Sequence, residues 1–229
     1  MHLFYKKYYY INSFDAKSID NQDKETLIIF RDYFKKKVPK IIAVSKTFDI
    51  EKILPLINHG HIDFGENKVQ EAIIKWKETK HMNNKIKLHM VGKLQTNKVK
   101  LAVEIFDFIH SLDNEKLAQK LSVEIKNKNK DLKFFIQVNI GNEEQKSGIK
   151  ITELNDFYNY CISLDLKIIG LMCIPPLSLS SSDFYKKMFD LNNKLGLAEL
   201  SMGMSSDYLE ALKYSASYIR IGSKIFGNR

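Results

Sequence analysis

The sequence predicts an α/β protein, and within that class a single (β/α)8 barrel. Three observations carry the expectation. Eight short apolar runs punctuate the chain from residue 40 onward, helix-period apolar stripes lie between them, and 229 residues suffice for eight β/α repeats around one core. On the pattern alone, an open doubly wound sheet is the rival arrangement.

The elements follow in chain order. Residues 1–21 are poorly patterned. Residues 22–36 (QDKETLIIFRDYFKK) set Leu27, Phe30 and Phe34 at near-helical spacing and predict an amphipathic helix. Residues 1–37 are therefore expected to be an N-terminal segment of the same domain, with the barrel over residues 38–229. Strand-like runs fall at 40–45, 61–65, 86–91, 105–110, 132–140, 166–172, 197–202 and 217–221. Between them, Val69, Ala72, Ile73 and Trp76 share one helical face, as do Leu154, Phe157, Tyr158 and Cys161, and Phe184, Met188, Leu191 and Leu195. Leu117 and Leu121 anchor another helix. Pro55 falls inside 50–58, so that helix is expected to be short or kinked. The stretch 175–182 (PPLSLSSS) fits a βα loop with a serine N-cap.

Composition narrows the function classes. Cys161 and Cys173 form no C-x-x-C pair and no zinc-ligand spacing, which predicts free thiols in a reducing compartment and no metal site. The N-terminus has no signal-peptide pattern, and no stretch is apolar enough to span a bilayer. A cytoplasmic protein with no membrane partner is expected. The net charge is +9, yet of 36 basic residues three are arginine: Arg31, Arg220 and Arg229. Nucleic-acid readers lean on arginine for bidentate contacts, and no stacking motif is present. The lysines are expected to solvate the surface, with no nucleic acid bound. Where a chain prefers lysine this strongly, Arg220 stands out.

In a barrel of this type the site lies where the strands end. Lys46 follows the first strand. On the bland view it is a lysine snorkelling out of a strand end; on the sharper one it is an amine that captures a carbonyl, because partial burial disfavours an ammonium. The seventh and eighth loops, SMGMSSD and RIGSKIFG, both combine glycine with hydroxyls, the usual makings of a phosphate cradle. Turn glycines and an N-cap serine would explain each one separately. A strand-end lysine and a phosphate cradle in one mouth allow two chemistries: a class I aldolase acting on a sugar phosphate, or pyridoxal phosphate held as a Schiff base. Arg220 lies between Ile219 and Ile221, so alternation points it into the barrel. There it would pair with a carboxylate or meet a ligand. Facing a pyridine nitrogen, a permanently protonated arginine would keep that nitrogen unprotonated and weaken the ring as an electron sink.

The motifs VSKT (44–47), FGENKVQE (64–71), HMVGKLQTNK (89–98), QKSG (145–148), GLM (170–172), LSMGMSSD (200–207) and YIRIGSKIFG (218–227) resemble, in order, those of the YggS/PROSC family of pyridoxal phosphate homeostasis proteins. The match runs from about residue 38 to the C-terminus. The resemblance implies a barrel of PLP fold type III, like the N-terminal domain of alanine racemase. It implies pyridoxal 5'-phosphate on Lys46, phosphate-binding loops containing Ser201, Ser205, Gly222 and Ser223, and Arg220 near the pyridine nitrogen. Asn67 falls in the G-E-N segment at the pocket rim, although Asn67 with Gln70 also reads as a helix start. Lys146, in the K-S-G loop, is a candidate for handing the cofactor on or an ordinary surface lysine. Departures are few: residues 1–37 match poorly, Phe48 stands where a basic residue is common, 177–199 is short, and Ser223 replaces a frequent threonine while keeping the hydroxyl.

Alanine racemase adds a β-rich domain bearing a catalytic tyrosine, and the chain is expected to lack room for it after the last strand. Tyr208 and Tyr218, the nearest substitutes, read as packing. The expectation is therefore a monomeric cofactor-binding protein that is not an enzyme. It would hold pyridoxal phosphate for intracellular homeostasis and pass it to apo-enzymes. A weak PLP-dependent amino-acid racemase is the alternative.

Overall fold

Strands apolar on both faces need cover on both faces, and a closed sheet ringed by helices supplies it. The computed structural model describes residues 38–176 and 181–227. The helix expected over 22–36, the N-terminal segment 1–37 and the middle of the 175–182 loop lie outside the described residues. The strands are β1 (Lys40–Val44), β2 (Asp63–Glu66), β3 (Lys87–Met90), β4 (Phe108–Leu112), β5 (Lys133–Gln137), β6 (Lys167–Met172), β7 (Glu199–Met204) and β8 (Tyr218–Ile221). They pair in chain order, and β8 returns to β1 with Ile42 opposite Arg220 and Ala43 opposite Ile221. Every strand pair is parallel. The closed barrel is the architecture, and the open sheet is not.

The helices are α1 (Ile50–Asn58), α2 (Val69–Met82), α3 (Val99–Ile105), α4 (Glu115–Lys128), α5 (Leu154–Ser163), α6 (Ser181–Lys194), α7 (Tyr208–Lys213) and α8 (Ser223–Phe226). Each anticipated stripe faces the sheet. Val69, Ala72 and Trp76 of α2 are buried, as are Leu117, Ala118 and Leu121 of α4, Leu154, Phe157 and Cys161 of α5, and Tyr185 and Met188 of α6. Local chemistry sets the ends of α4. Asn114 Oδ1 accepts the Leu117 N–H at 2.9 Å, and Asn129 closes the helix at φ 48°, a left-handed position that asparagine tolerates. Pro55 keeps α1 to nine residues. The short helices α3, α7 and α8 carry too few turns to show a period, and the sequence did not reveal them.

Two strands are displaced from their expected positions. The run 105–110 is strand only from Phe108, because Ile105 completes α3. The run 197–202 becomes 199–204, because the Leu197 N–H donates to Asn192 O at 3.0 Å and belongs to the turn after α6. Ser111 consequently lies inside β4, and Ser201, placed in a phosphate-binding loop by the resemblance, lies inside β7.

Alternation divides the barrel into two layers. Ile41, Ala43, Phe64, Leu88, Ile109, Phe134 and Ile219 face the helices in one continuous apolar shell. Ile42, Phe108, Phe135, Met172 and Tyr218 pack together in a second cluster inside the barrel. Inside, too, lie buried polar residues: His89, His110, Ser201 and Arg220.

Candidate functional site

The turn after β1 is held from behind. Ser45 is buried, and its Oγ donates to Glu66 Oε1 at 2.8 Å. The same carboxylate oxygen accepts from Lys75 Nζ at 2.9 Å and from Trp76 Nε1 at 2.9 Å. Lys75 also donates to the Ser45 carbonyl at 2.9 Å and pairs with Glu71. Glu71 accepts the Thr47 N–H at 2.5 Å. Burial pushes the Glu71 carboxyl up, but the Thr47 N–H and the Lys75 ammonium outweigh it and hold the group below the ordinary carboxylate range. Thr47 sits at φ 67°, a strained backbone for a β-branched residue. The strained turn thus presents Lys46, half-buried, at the C-terminal end of β1. Its Nζ has no hydrogen-bond or ion-pair partner among the described residues.

β8 lies beside β1. A Cβ on Gly222 would sit 3.5 Å from Val44 O, so the β8 end runs against the strand that carries Lys46. The Gly222 N–H donates to Ser205 Oγ at 3.2 Å, which ties the seventh loop to the eighth. Ser223, exposed, opens α8. The seventh loop is shaped by Asp207, whose two oxygens accept from the Met204 N–H at 2.7 Å and the Tyr185 hydroxyl at 2.7 Å. Burial, followed by the Asp207 contact, pushes the Tyr185 hydroxyl well up, so it stays a donor. Gly203 bends this loop at φ 88°, and a Cβ there would lie 2.7 Å from Ala211 Cβ. Only glycine lets α7 come so close.

Arg220 points into the barrel, as alternation predicts, and is 5% exposed. Nη1 donates to the carbonyl and hydroxyl oxygens of Ser201, each at 2.8 Å, and Nη2 donates to Cys173 O at 2.8 Å. Among the described residues no carboxylate forms an ion pair with Arg220. Three of its five N–H groups are engaged, which leaves two. Burial lowers the guanidinium from its usual value, but arginine remains protonated. Burial pushes the neighbouring Cys173 thiol up to about 12, so it stays a neutral thiol. Both cysteines are free and buried.

Asn67 follows β2. Helix α2 starts at Val69 with Lys68 at its cap position and no side-chain cap bond, so Asn67 is not the helix cap. Its Oδ1 is buried without a partner among the described residues. The loop after β3 crosses it closely: a Cβ on Gly92 would lie 2.7 Å from Asn67 Cβ. Beyond Gly92 a cavity of about 300 Å3 opens between the ends of β3, β5 and β6, lined in part by Lys93, Gln137, Asn139 and Lys146. Lys46, Ser205 and Gly222 stand across the mouth from it, on the arc β7–β8–β1. Lys146 is tied to Glu143 and to Pro175 O.

The structure thus brings Lys46, Ser205, Arg220, Gly222 and Ser223 to adjoining strand ends, with Asn67 one strand further round. Ser201 differs. It lies two residues inside β7 with no exposed surface, and its hydroxyl is occupied by Arg220 and by His110 Nδ1, at 2.8 Å each. Sequence reasoning missed the groups behind the site: Glu66, Glu71, Lys75 and Trp76 outside the barrel, and Asp63, His89 and His110 within it. A carboxylate directly preceding Asn67 and a histidine inside each of two apolar strands were the available signals. Among the described residues no group of three or more His, Cys, Asp or Glu could hold a metal ion, and no helix is long and apolar enough to cross a membrane.

Comparison with known proteins decides the family. Residues 26–229 match the family described as alanine racemase, N-terminal domain. The chain is 36% identical over 200 residues to the pyridoxal phosphate homeostasis protein of Aquifex aeolicus, covering 83% of this chain and 87% of that one. With the protein of the same name from Synechocystis it shares 38% over 200 residues, covering 83% and 91%. The chain belongs to the pyridoxal phosphate homeostasis protein family. A solved family member, PipY of Synechococcus elongatus with PLP bound, superposes with a TM-score of 0.78 at 34% identity, covering 89% of this chain and 99% of that one. Alanine racemase of Clostridium difficile superposes with a TM-score of 0.67 at 14% identity. At that identity the shared feature is the barrel fold. This chain covers 56% of the racemase.

Proposed function

We propose that this pyridoxal phosphate homeostasis family member binds pyridoxal 5'-phosphate through Lys46, buffers it in the cytoplasm and hands it to apo-enzymes, acting as a monomer and not as an enzyme. The observation that carries the reading is the partnerless Lys46 amine, held by a strained turn beside the Ser205–Gly222–Ser223 corner. The residues fit the cofactor. An amine without a partner suits an aldehyde, hydroxyls and backbone N–H groups suit a phosphate, and the two unengaged N–H groups of Arg220 suit a pyridine nitrogen. The orphaned Asn67 Oδ1 is an acceptor at the rim. When bound, the cofactor supplies an aldehyde that condenses reversibly with an amine, with loss of water. The chain's residues do the rest. Lys46 would offer the amine, Ser205 and Ser223 would donate to the phosphate, and Arg220 would keep its protons and so leave the ring nitrogen without one. Ser201, walled in by Arg220 and His110, serves by holding Arg220 and not by touching phosphate.

A racemase needs a group on each face of its substrate, and the packing of the two candidate tyrosines among the described residues supports a non-catalytic role. Tyr218 opens β8 at the far end of the strand, packed edge-on to Phe135 at 5.1 Å. Tyr208 is buried at the start of α7 beneath the Lys224 ammonium.

Absorption spectra test the proposal. The protein mixed with pyridoxal phosphate is expected to show a yellow imine band, borohydride is expected to fix the cofactor on the Lys46 peptide, and Lys46→Ala is expected to lose both. A wild-type protein that ignores pyridoxal phosphate overturns the reading. Turnover of any amino acid in a broad panel, abolished by Lys46→Ala, overturns the non-enzymatic part.

A further inference from the structure

An unbroken line of polar side chains runs through the barrel from the base of β2 to Arg220. Asp63 Oδ1 lies 3.0 Å from His89 Nε2, His89 Nδ1 lies 3.0 Å from His110 Nε2, and His110 Nδ1 lies 2.8 Å from Ser201 Oγ. Ser201 Oγ receives Arg220 Nη1 at 2.8 Å. Four strands contribute side chains beside β8, so the line exists only in the closed barrel. Aromatic rings clamp both imidazoles: His89 stacks on Phe108 at 4.3 Å and 8°, and His110 on Phe135 at 4.3 Å and 19°. Neither ring is free to turn and offer its nitrogens elsewhere.

We propose that Asp63, His89, His110 and Ser201 form a one-way hydrogen-bond relay that positions Arg220 and pairs its charge with the distant Asp63 carboxylate. Donor counting fixes the direction. Arginine can only donate, and an ionised carboxylate can only accept, so the two ends are polarised alike. Burial raises the Asp63 carboxyl, but its bond to His89 and the nearby Lys40 ammonium outweigh this and hold it below the usual range. Asp63 therefore accepts, and His89 Nε2 carries hydrogen. Burial holds His89 below the ordinary imidazole value despite Asp63, so its Nδ1 is bare and must accept. His110 Nε2 must then carry hydrogen. Burial first, then the charges of His89 and Arg220, holds His110 well below the usual value. Its Nδ1 is bare in turn, and the Ser201 hydroxyl donates to it, turning its lone pairs to Arg220. Every proton lies on the Arg220 side of its bond, so each dipole has its negative end toward the cation above it. No second charge need be buried beside Arg220, and two of its N–H groups are left unengaged. These four are positioning residues, because they act through Arg220.

The relay rests on the proposed cofactor reading only for what Arg220 meets, and the test separates the two. Full-length protein labelled with 15N on histidine and arginine, without cofactor, is examined at neutral pH. The expected signature is a scalar coupling across the His110 Nε2–H to His89 Nδ1 bond, with both imidazoles neutral and bare at Nδ1. Absence of that coupling, a doubly protonated ring, or hydrogen on either Nδ1 overturns the relay. In His110→Phe, which keeps the stacking, the resolved Arg220 Nη signals are expected to collapse, and the Kd for pyridoxal phosphate to rise about tenfold, as when outer partners of a binding group are removed. An Arg220 signature unchanged by this substitution also overturns the relay. If that variant does not fold, the wild-type coupling still decides. Wild-type protein that shows the coupling but binds no pyridoxal phosphate keeps the relay and defeats the cofactor reading; the reverse result defeats the relay alone.

Discussion

Behind the Lys46 turn, three donors converge on one oxygen of Glu66; beneath Arg220, four side chains stand in a line along the barrel interior. Both systems are buried and polar, and both hold a residue of the proposed site from behind. They differ in where the charges sit. Around Glu66 the ion pair is direct, with Lys75 Nζ at 2.9 Å and side-chain exposures of 7% and 0%, and Glu66 Oε2 is left without a partner among the described residues. In the barrel the charges stand at opposite ends, with neutral groups between. The first arrangement is strong and brittle, since loss of one partner strands a buried charge. The second spreads the compensation over several modest bonds, each replaceable at lower cost. A turn at φ 67° needs a rigid backing, whereas an arginine that must only keep its direction can be held by a chain of bonds.

The largest expected effect comes from breaking the first system. Glu66→Ala leaves the Lys75 ammonium and the Trp76 and Ser45 donors without their shared acceptor. A loss of about 3–5 kcal/mol is expected in urea unfolding. A loss below about 1 kcal/mol would mean that solvent reaches this carboxylate and that the contrast between the two systems is false.

Acid should act on the second system. His61, His89 and His110 are all held below the ordinary imidazole value, first by burial. Below about pH 6.5 the unfolded chain therefore takes up protons that the folded chain refuses. Their contribution is full above that pH and is lost as the pH falls toward the folded-state values. Each histidine adds a slope of up to ~1.4 kcal/mol per pH unit. The urea midpoint should fall from pH 7 to pH 5, and His110→Phe should flatten the fall. An equal slope in that variant would remove the relay from the account.

The smallest effect has the opposite sign. Thr47→Gly relieves a left-handed backbone while keeping the N–H that Glu71 accepts. Stability should change by less than ~1 kcal/mol, toward stabilisation. A larger loss would show that the Thr47 side chain, and not the backbone, anchors the turn.

Alternation was enough to find Arg220, because residues flanked by apolar neighbours in a strand must face the other way. A lysine at a strand mouth was enough to single out Lys46. Ser201 shows where such pattern reading fails. Leu197 and Ala198 extend the apolar run at the wrong end, which moved the expected strand off by two residues, and the hydroxyl assigned to a phosphate-binding loop belongs to the interior of β7. Asn67 resembled a helix cap because the local pattern N-x-x-Q permits it, while the chain caps α2 one residue later. His89 and His110 were visible only as two single histidines.

Local pattern therefore carried the repeat, the parallel sheet and the residues at the strand ends, because side-chain period and turn chemistry act over a few neighbours. It could not join Asp63 to His89, His110 to Ser201, or Glu66 to Lys75. Those contacts depend on the register between strands and on the docking of α2, and both are set when eight strands close on one another and their outer faces are buried. Closure fixes the stagger of every strand together, so the partners of an inward side chain are a property of the whole barrel and not of any segment of the chain.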